Sequence, residues 1–146
     1  MAFQEEEGVI KWKIHFNSSP QVVYEGLANA EARAKYWAES AEEKNGVIEF
    51  RILGYSPFKS KILDSIPGQM FKLEYFGSIV MFNIKNDGNG GTDMQLIAQE
   101  VDRSIKNEMT AGWVSVLMAM KAALDFGVDL RNHDIERTWM KGYADN

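Results

Sequence analysis

Residues Asn107 to Gly127 read NEMTAGWVSVLMAMKAALDFG, and Met109, Trp113, Val116, Leu117, Met120 and Leu124 recur there at helical spacing. Residues three and four apart share one side of a helix, so these six form a single apolar face. Gly127 stands where a glycine in the left-handed conformation closes a helix. The longer patterned stretches before this segment alternate or break at turns. One amphipathic helix following a run of strands must bury its face against their sheet. The spacing therefore predicts an α+β fold in which one long helix packs on a sheet.

The strands are read from alternation with a period of two. Ile10, Trp12, Ile14 and Phe16 fall on one side of the first, with Lys11, Lys13 and His15 on the other. Ser19-Pro20 follows as an N-cap and a first helical residue, which starts a short helix to about Leu27. Asn29 caps a second short helix through Tyr36 and Trp37, and Glu39 to Gly46 reads as a polar, acidic loop. Five further strands are expected at Val47 to Leu53, Phe58 to Ile66, Met70 to Phe76, Ile79 to Lys85 and Thr92 to Val101, joined by short turns. The expected architecture is a six-stranded antiparallel sheet, two short helices after the first strand, the long helix, and a polar tail from Asp129 to Asn146. Trp139 and Tyr143 in that tail either fold back on the sheet or serve a dimer.

The chain has 146 residues, no composition shift and no internal repeat, so one domain over 1–146 is expected, with a core about 8–128. A net charge of −5 without a dense Lys/Arg run argues against nucleic acid and anionic membrane surfaces. The absence of cysteine excludes disulfides and thiolate chemistry and suits a reducing, cytoplasmic setting. The acidic opening MAFQEEEG carries no apolar leader, and no apolar run is long enough to embed in a membrane.

Few residues carry chemistry on their own. His15 and His133 are far apart in sequence and lack any metal-ligand spacing, so neither a metal nor a cofactor is expected. Glu5-Glu6-Glu7 and Glu42-Glu43 read as solvated runs. Gly88-Asn89-Gly90-Gly91 reads as a hairpin tip, since it joins strand to strand and lacks the Lys-Ser/Thr of a phosphate loop. Glu100 follows Met94, Leu96 and Ala98 by alternation, which places it either at the rim of a pocket under the sheet or at the strand's open, solvated end. Large rings and methionines on the inner faces make either an ordinary packed core or one that leaves room for an apolar guest.

The order of motifs resembles the START-like superfamily, also called SRPBCC. More narrowly it resembles homologues of the activator of heat-shock protein 90 ATPase. Ile10 to Phe16 followed by Pro20-Gln21-Val22-Val23-Tyr24-Glu25-Gly26-Leu27 looks like the family's opening strand and its P-x-x-V-Y-x-x-L helix. Trp37 stands where the second short helix carries a Trp, Gly91-Thr92 opens the last strand, and Gly112-Trp113 looks like the GW start of the terminal helix. The likeness spans about Gly8 to Gly127, and the tail Asp129 to Asp134 with Thr138-Trp139 resembles a subgroup of small bacterial members.

The resemblance implies a helix-grip fold, in which a curved sheet and the long helix enclose a cavity for apolar small molecules or lipids. The founding activator carries an additional N-terminal domain that the likeness does not include, so chaperone activation is the lesser implication. The reading is a non-enzymatic binding protein for an apolar or amphipathic small molecule or lipid. The expected lining is Trp12, Phe50, Phe71, Leu73, Tyr75, Phe82, Leu96, Glu100, Trp113, Leu117 and Met120. Two alternatives stand beside it: a cyclase- or hydratase-like enzyme using Glu100 or Tyr75 as acid or base, and an interaction module related to chaperone activation.

Overall fold

A computed structural model describes residues 3–146; Met1 and Ala2, at the start of the acidic opening stretch, lie outside the described residues. Strand β1, Ile10–Phe16, is followed by helix α1, Pro20–Ala28, and the single-turn helix α2, Ala30–Arg33. Six strands come next: β2 (Ser40–Lys44), β3 (Val47–Arg51), β4 (Phe58–Ile66), β5 (Met70–Tyr75), β6 (Ser78–Asn86) and β7 (Thr92–Gln99). Helix α3, Lys106–Phe126, precedes a tail that holds one short 3-10 turn, Trp139–Lys141.

The sheet is antiparallel throughout, in the order β1-β7-β6-β5-β4-β3-β2. It has seven strands where six were expected. The additional strand is β2, which lies within the expected polar loop Glu39 to Gly46. Its sequence, SAEEK, buries only Ala41, so it carries almost no alternation. Pairing comes instead from the turn. Asn45 and Gly46 both hold positive φ, 53° and 78°, the conformation that a two-residue hairpin with matching twist requires. Exposed Glu42, Glu43 and Lys44 lie on this edge strand and discourage further strand addition.

The short helices start as their capping residues dictate. Ser19 Oγ accepts from Val22 N at 3.3 Å with Pro20 at the first helical position, and Asn29 Oδ1 accepts from Ala32 N at 3.0 Å. Helix α2 stops after four residues, and Tyr36 and Trp37 follow it in a turn, both buried. Helix α3 ends at Gly127, whose φ of 66° allows Val128 N to reach Ala122 O and Gly127 N to reach Ala123 O.

Helix α3 buries Trp113, Leu117, Ala119 and Met120. Its C-terminal end is fixed to the β1–α1 connection by Asp125, which accepts from Asn17 N, Ser18 N and Ser18 Oγ at 2.9, 3.0 and 2.8 Å. The tail then turns back along α3 toward its N-terminal half. Arg131 donates to the carbonyls of Ala38 and Ala34, both at 2.7 Å. Thr138 packs on Gly54, and Ser115 Oγ donates to Ala144 O at 2.6 Å. Trp139 therefore lies against the helix and not against the sheet, with its Nε1 donating to Glu108 Oε1 at 3.1 Å.

Candidate functional site

The helix, one end of the sheet and the returning tail leave a cavity of about 270 Å³ between them. Helical spacing makes one wall: Met109, Gly112, Trp113 and Val116 follow one another at i, i+3, i+4 and i+7. The sheet supplies Tyr75, the last residue of β5, and Phe76 in the turn to β6. Ile52 and Tyr55, just beyond β3, complete the side, Trp37 lies at the inner end, and Trp139 comes from the tail.

The β5–β6 turn has a special shape. Phe76 and Gly77 hold φ of 48° and 77°, a two-residue hairpin turn that normally selects Asn or Gly at its first position. A bulky side chain at positive φ is uncommon and concentrates where surrounding contacts over-determine it. Those contacts are present: the Phe76 ring lies 4.4 Å from that of Phe58 and 4.7 Å from that of Tyr75. The strained position puts a ring on the cavity wall instead of leaving a bare turn.

The polar groups around the cavity are few. Tyr75 is buried and accepts from Trp37 Nε1 at 3.1 Å. Burial pushes its hydroxyl well above the ordinary tyrosine value, against the smaller lowering effect of the Trp37 bond, so it stays neutral. Trp113 is also buried, and its Nε1 has no hydrogen-bond partner among the described residues. Glu108, the acceptor for Trp139, is the sole charged side chain on the described lining, which includes no Lys, Arg or His. Burial, then the nearby Glu108 charge, raises the Tyr55 hydroxyl. Among the described residues no group of three His, Cys, Asp or Glu side chains converges on a point that could hold a metal ion.

Of the eleven residues expected to line the cavity, the structure brings Tyr75 and Trp113 to it. Phe50, Phe71, Leu73, Phe82, Leu96, Leu117 and Met120 are instead buried among one another in the packed core. Trp12 is half-buried at the outer strand, where its Nε1 donates to Thr110 O at 3.2 Å. Glu100 is exposed and is not on the cavity wall. Strand β7 ends at Gln99 and Glu100 has a φ of 55°, so the alternation does not extend to it, and Val101 is buried in its place. The unforeseen wall residues include Ile52, Tyr55, Phe76, Glu108 and Trp139. Glu108 carried a signal, since it precedes Gly112 and Ser115 by four and seven positions on the stripe beside the apolar one.

No family model matches the sequence, and no curated protein sequence matches it. Solved structures match in fold. A protein from Staphylococcus saprophyticus superposes with a TM-score of 0.73 at 19% identity, covering 87% of this chain and 98% of that one. The Aha1 dimer from Colwellia psychrerythraea gives 0.73 at 19% identity, covering 82% of this chain and 97% of that one. CalU16 from Micromonospora echinospora gives 0.65 at 16% identity, with 78% and 72% covered. At these identities the likeness is one of fold. The architecture is α+β and helix-grip in kind, a sheet with two short helices after its first strand and one long helix laid against it.

Proposed function

We propose that this chain is a START-like, one-domain protein that binds a small apolar or amphipathic molecule without transforming it. The observation that carries this reading is the cavity of about 270 Å³ walled by aromatic rings where helix, sheet and tail meet. It sits near the lower end of the roughly 300–1,000 Å³ typical of small-molecule sites, so it suits a compact guest better than a long acyl chain. Burial of apolar surface supplies roughly 25 cal/mol per Å², from which the costs of association are subtracted. Fold likeness to Aha1 and CalU16 supports the START-like assignment.

The test is a two-dimensional amide and indole NMR titration of the whole chain with naphthalene-sized hydrophobic probes and with lipid extracts. Shifts confined to Tyr75, Phe76, Trp113, Val116 and Trp139 are expected. If every one of these signals stays in place at saturating probe, the binding reading fails.

A second reading, an interaction module of the chaperone-activator kind, draws support from the Aha1 structure. It predicts dose-dependent stimulation of a chaperone ATPase by this chain alone, and a flat titration rejects it.

A further inference from the structure

We infer that the cavity selects a neutral, planar aromatic molecule bearing a carbonyl acceptor, an aryl ketone or quinone type of ligand, held by hydrogen bonds from Trp113 Nε1 and the Tyr75 hydroxyl. This rests on the binding reading above and names the chemistry of its guest.

Two donors carry it. Trp113 is 2% exposed, lines the cavity, and has an Nε1–H with no acceptor among the described residues. An indole N–H has donor capacity only, and a buried donor without a partner is costly, so such groups are rare unless a ligand satisfies them. Tyr75 is the second. Its oxygen is already the acceptor for Trp37 Nε1, which leaves its own proton to be given. No acceptor for that proton occurs among the described residues. The rings of Tyr75 and Trp113 are 5.1 Å apart, so the two donor-bearing side chains are neighbours on the cavity wall. Burial keeps the phenol protonated, and hence a donor, at neutral pH.

The walls define the remainder of the ligand. Tyr75, Phe76, Trp113 and Trp139 present ring surfaces, which favour flat π systems through offset or edge contacts. Among the described residues no cation lines the cavity, and Glu108 stands on its wall. A carboxylate or phosphate guest would meet a like charge and no counter-charge on the described wall. The site is therefore matched to a neutral acceptor and mismatched to a fatty acid.

Three matched probes test this on the intact chain: 2-acetylnaphthalene, its hydrocarbon counterpart 2-ethylnaphthalene, and 2-naphthoate. The ketone is expected to bind about tenfold tighter than the hydrocarbon, as one or two buried hydrogen bonds provide. It should move the Trp113 indole proton downfield, and the naphthoate should bind weakest. Tyr75→Phe should cut the ketone's advantage over the hydrocarbon to a few-fold or less. The unaltered protein's indole shift decides the matter even if that variant folds poorly. Equal binding of ketone and hydrocarbon with a stationary Trp113 indole signal overturns the donor assignment and leaves the binding reading intact. Tightest binding by naphthoate overturns the neutral-ligand assignment. Absence of binding by all three overturns both this inference and the binding reading.

Discussion

Trp37 donates its indole N–H to the Tyr75 hydroxyl at 3.1 Å, and both side chains are buried. The same indole packs on Phe50, Phe82 and Trp113, at ring separations of 5.0, 5.9 and 5.9 Å. Trp37 thus joins the segment after α2, the sheet and α3 at the inner end of the cavity. Tyr75→Phe removes the acceptor but little volume. It leaves a buried donor unpaired, so a loss of about 1–3 kcal/mol is expected. Trp37→Phe removes the donor and part of a large ring, for an expected loss of about 2–4 kcal/mol. Urea denaturation of the two variants checks the order; Tyr75→Phe proving the more damaging would contradict it.

Gly112 lies inside α3 and on the cavity wall. A Cβ built there meets only Trp139 within 4 Å, at an ordinary contact distance of 3.9 Å. Gly112→Ala should therefore gain up to about 1 kcal/mol of helix propensity without a clash. It also places a methyl group where a guest would sit. A raised Tm together with weaker probe binding is the expected pair of results, and a lowered Tm would mean that the tail packs on the helix more tightly than the 3.9 Å contact implies.

The architecture was legible in the sequence because periodicity reports which way side chains face. The six-residue stripe of α3 and the alternation of β1, β5 and β6 gave the helix, the sheet and the inner faces. Alternation does not report how completely an inner face is filled. Phe71 and Tyr75 share a face of β5, yet Phe71 is packed in the core and Tyr75 reaches the cavity, because Tyr75 ends its strand. Glu100 was misplaced by extending alternation past a left-handed residue. Strand β2 was hidden by charge, although Asn45-Gly46, a strong short hairpin signal, stood beside it. Trp139 could not be placed, since a tail without period gives no direction.

Arg33 is a buried cation with no signal in the sequence, because arginines in short polar helices are mostly exposed. It is 0% exposed, and its guanidinium donates to Ala41 O at 3.1 and 2.6 Å and to Leu27 O at 2.9 Å. Desolvation lowers its pKa, against the favourable but smaller effects of Tyr36, Glu43 and Glu42. The group ties the C-terminal turn of α1 to the edge strand β2. Arg33→Ala would leave both carbonyls without this donor and open a void, so a loss of about 3 kcal/mol or more is expected. Arg33→Lys cannot reproduce the planar fork and should recover only part of it. Hydrogen exchange at β2 is the local readout: faster exchange there than in β6 is expected, and uniform exchange would show that Arg33 does not hold the edge.

His133 fixes the start of the tail through both ring nitrogens. Nδ1 is 2.7 Å from Glu39 Oε1, and Nε2 is 2.8 Å from Asp129 Oδ2. A neutral imidazole has one proton, so one nitrogen would turn a lone pair toward a carboxylate; the imidazolium satisfies both. Hydrogen bonds to Asp129 and then Glu39 accordingly raise the His133 pKa, against burial and the nearby Arg131 charge. For Asp129 burial is the largest influence and acts upward, but bonds from Arg131 and His133 outweigh it and hold the carboxyl far below its usual range. The raised histidine stabilises the fold fully below its unfolded value of about 6.5, and this contribution is lost as pH rises through the higher folded value. The depressed aspartate contributes above its unfolded value of about 3.9 and loses that as pH falls through the folded value. The clasp is therefore tightest from about pH 4 to 6.5. Because the groups are partly exposed, added salt should weaken it. An NMR titration of the His133 ring protons should give a midpoint above about 6.5, reduced by Glu39→Gln. A midpoint at or below that value, unmoved by the substitution, would mean that the tail is not held by this charged clasp.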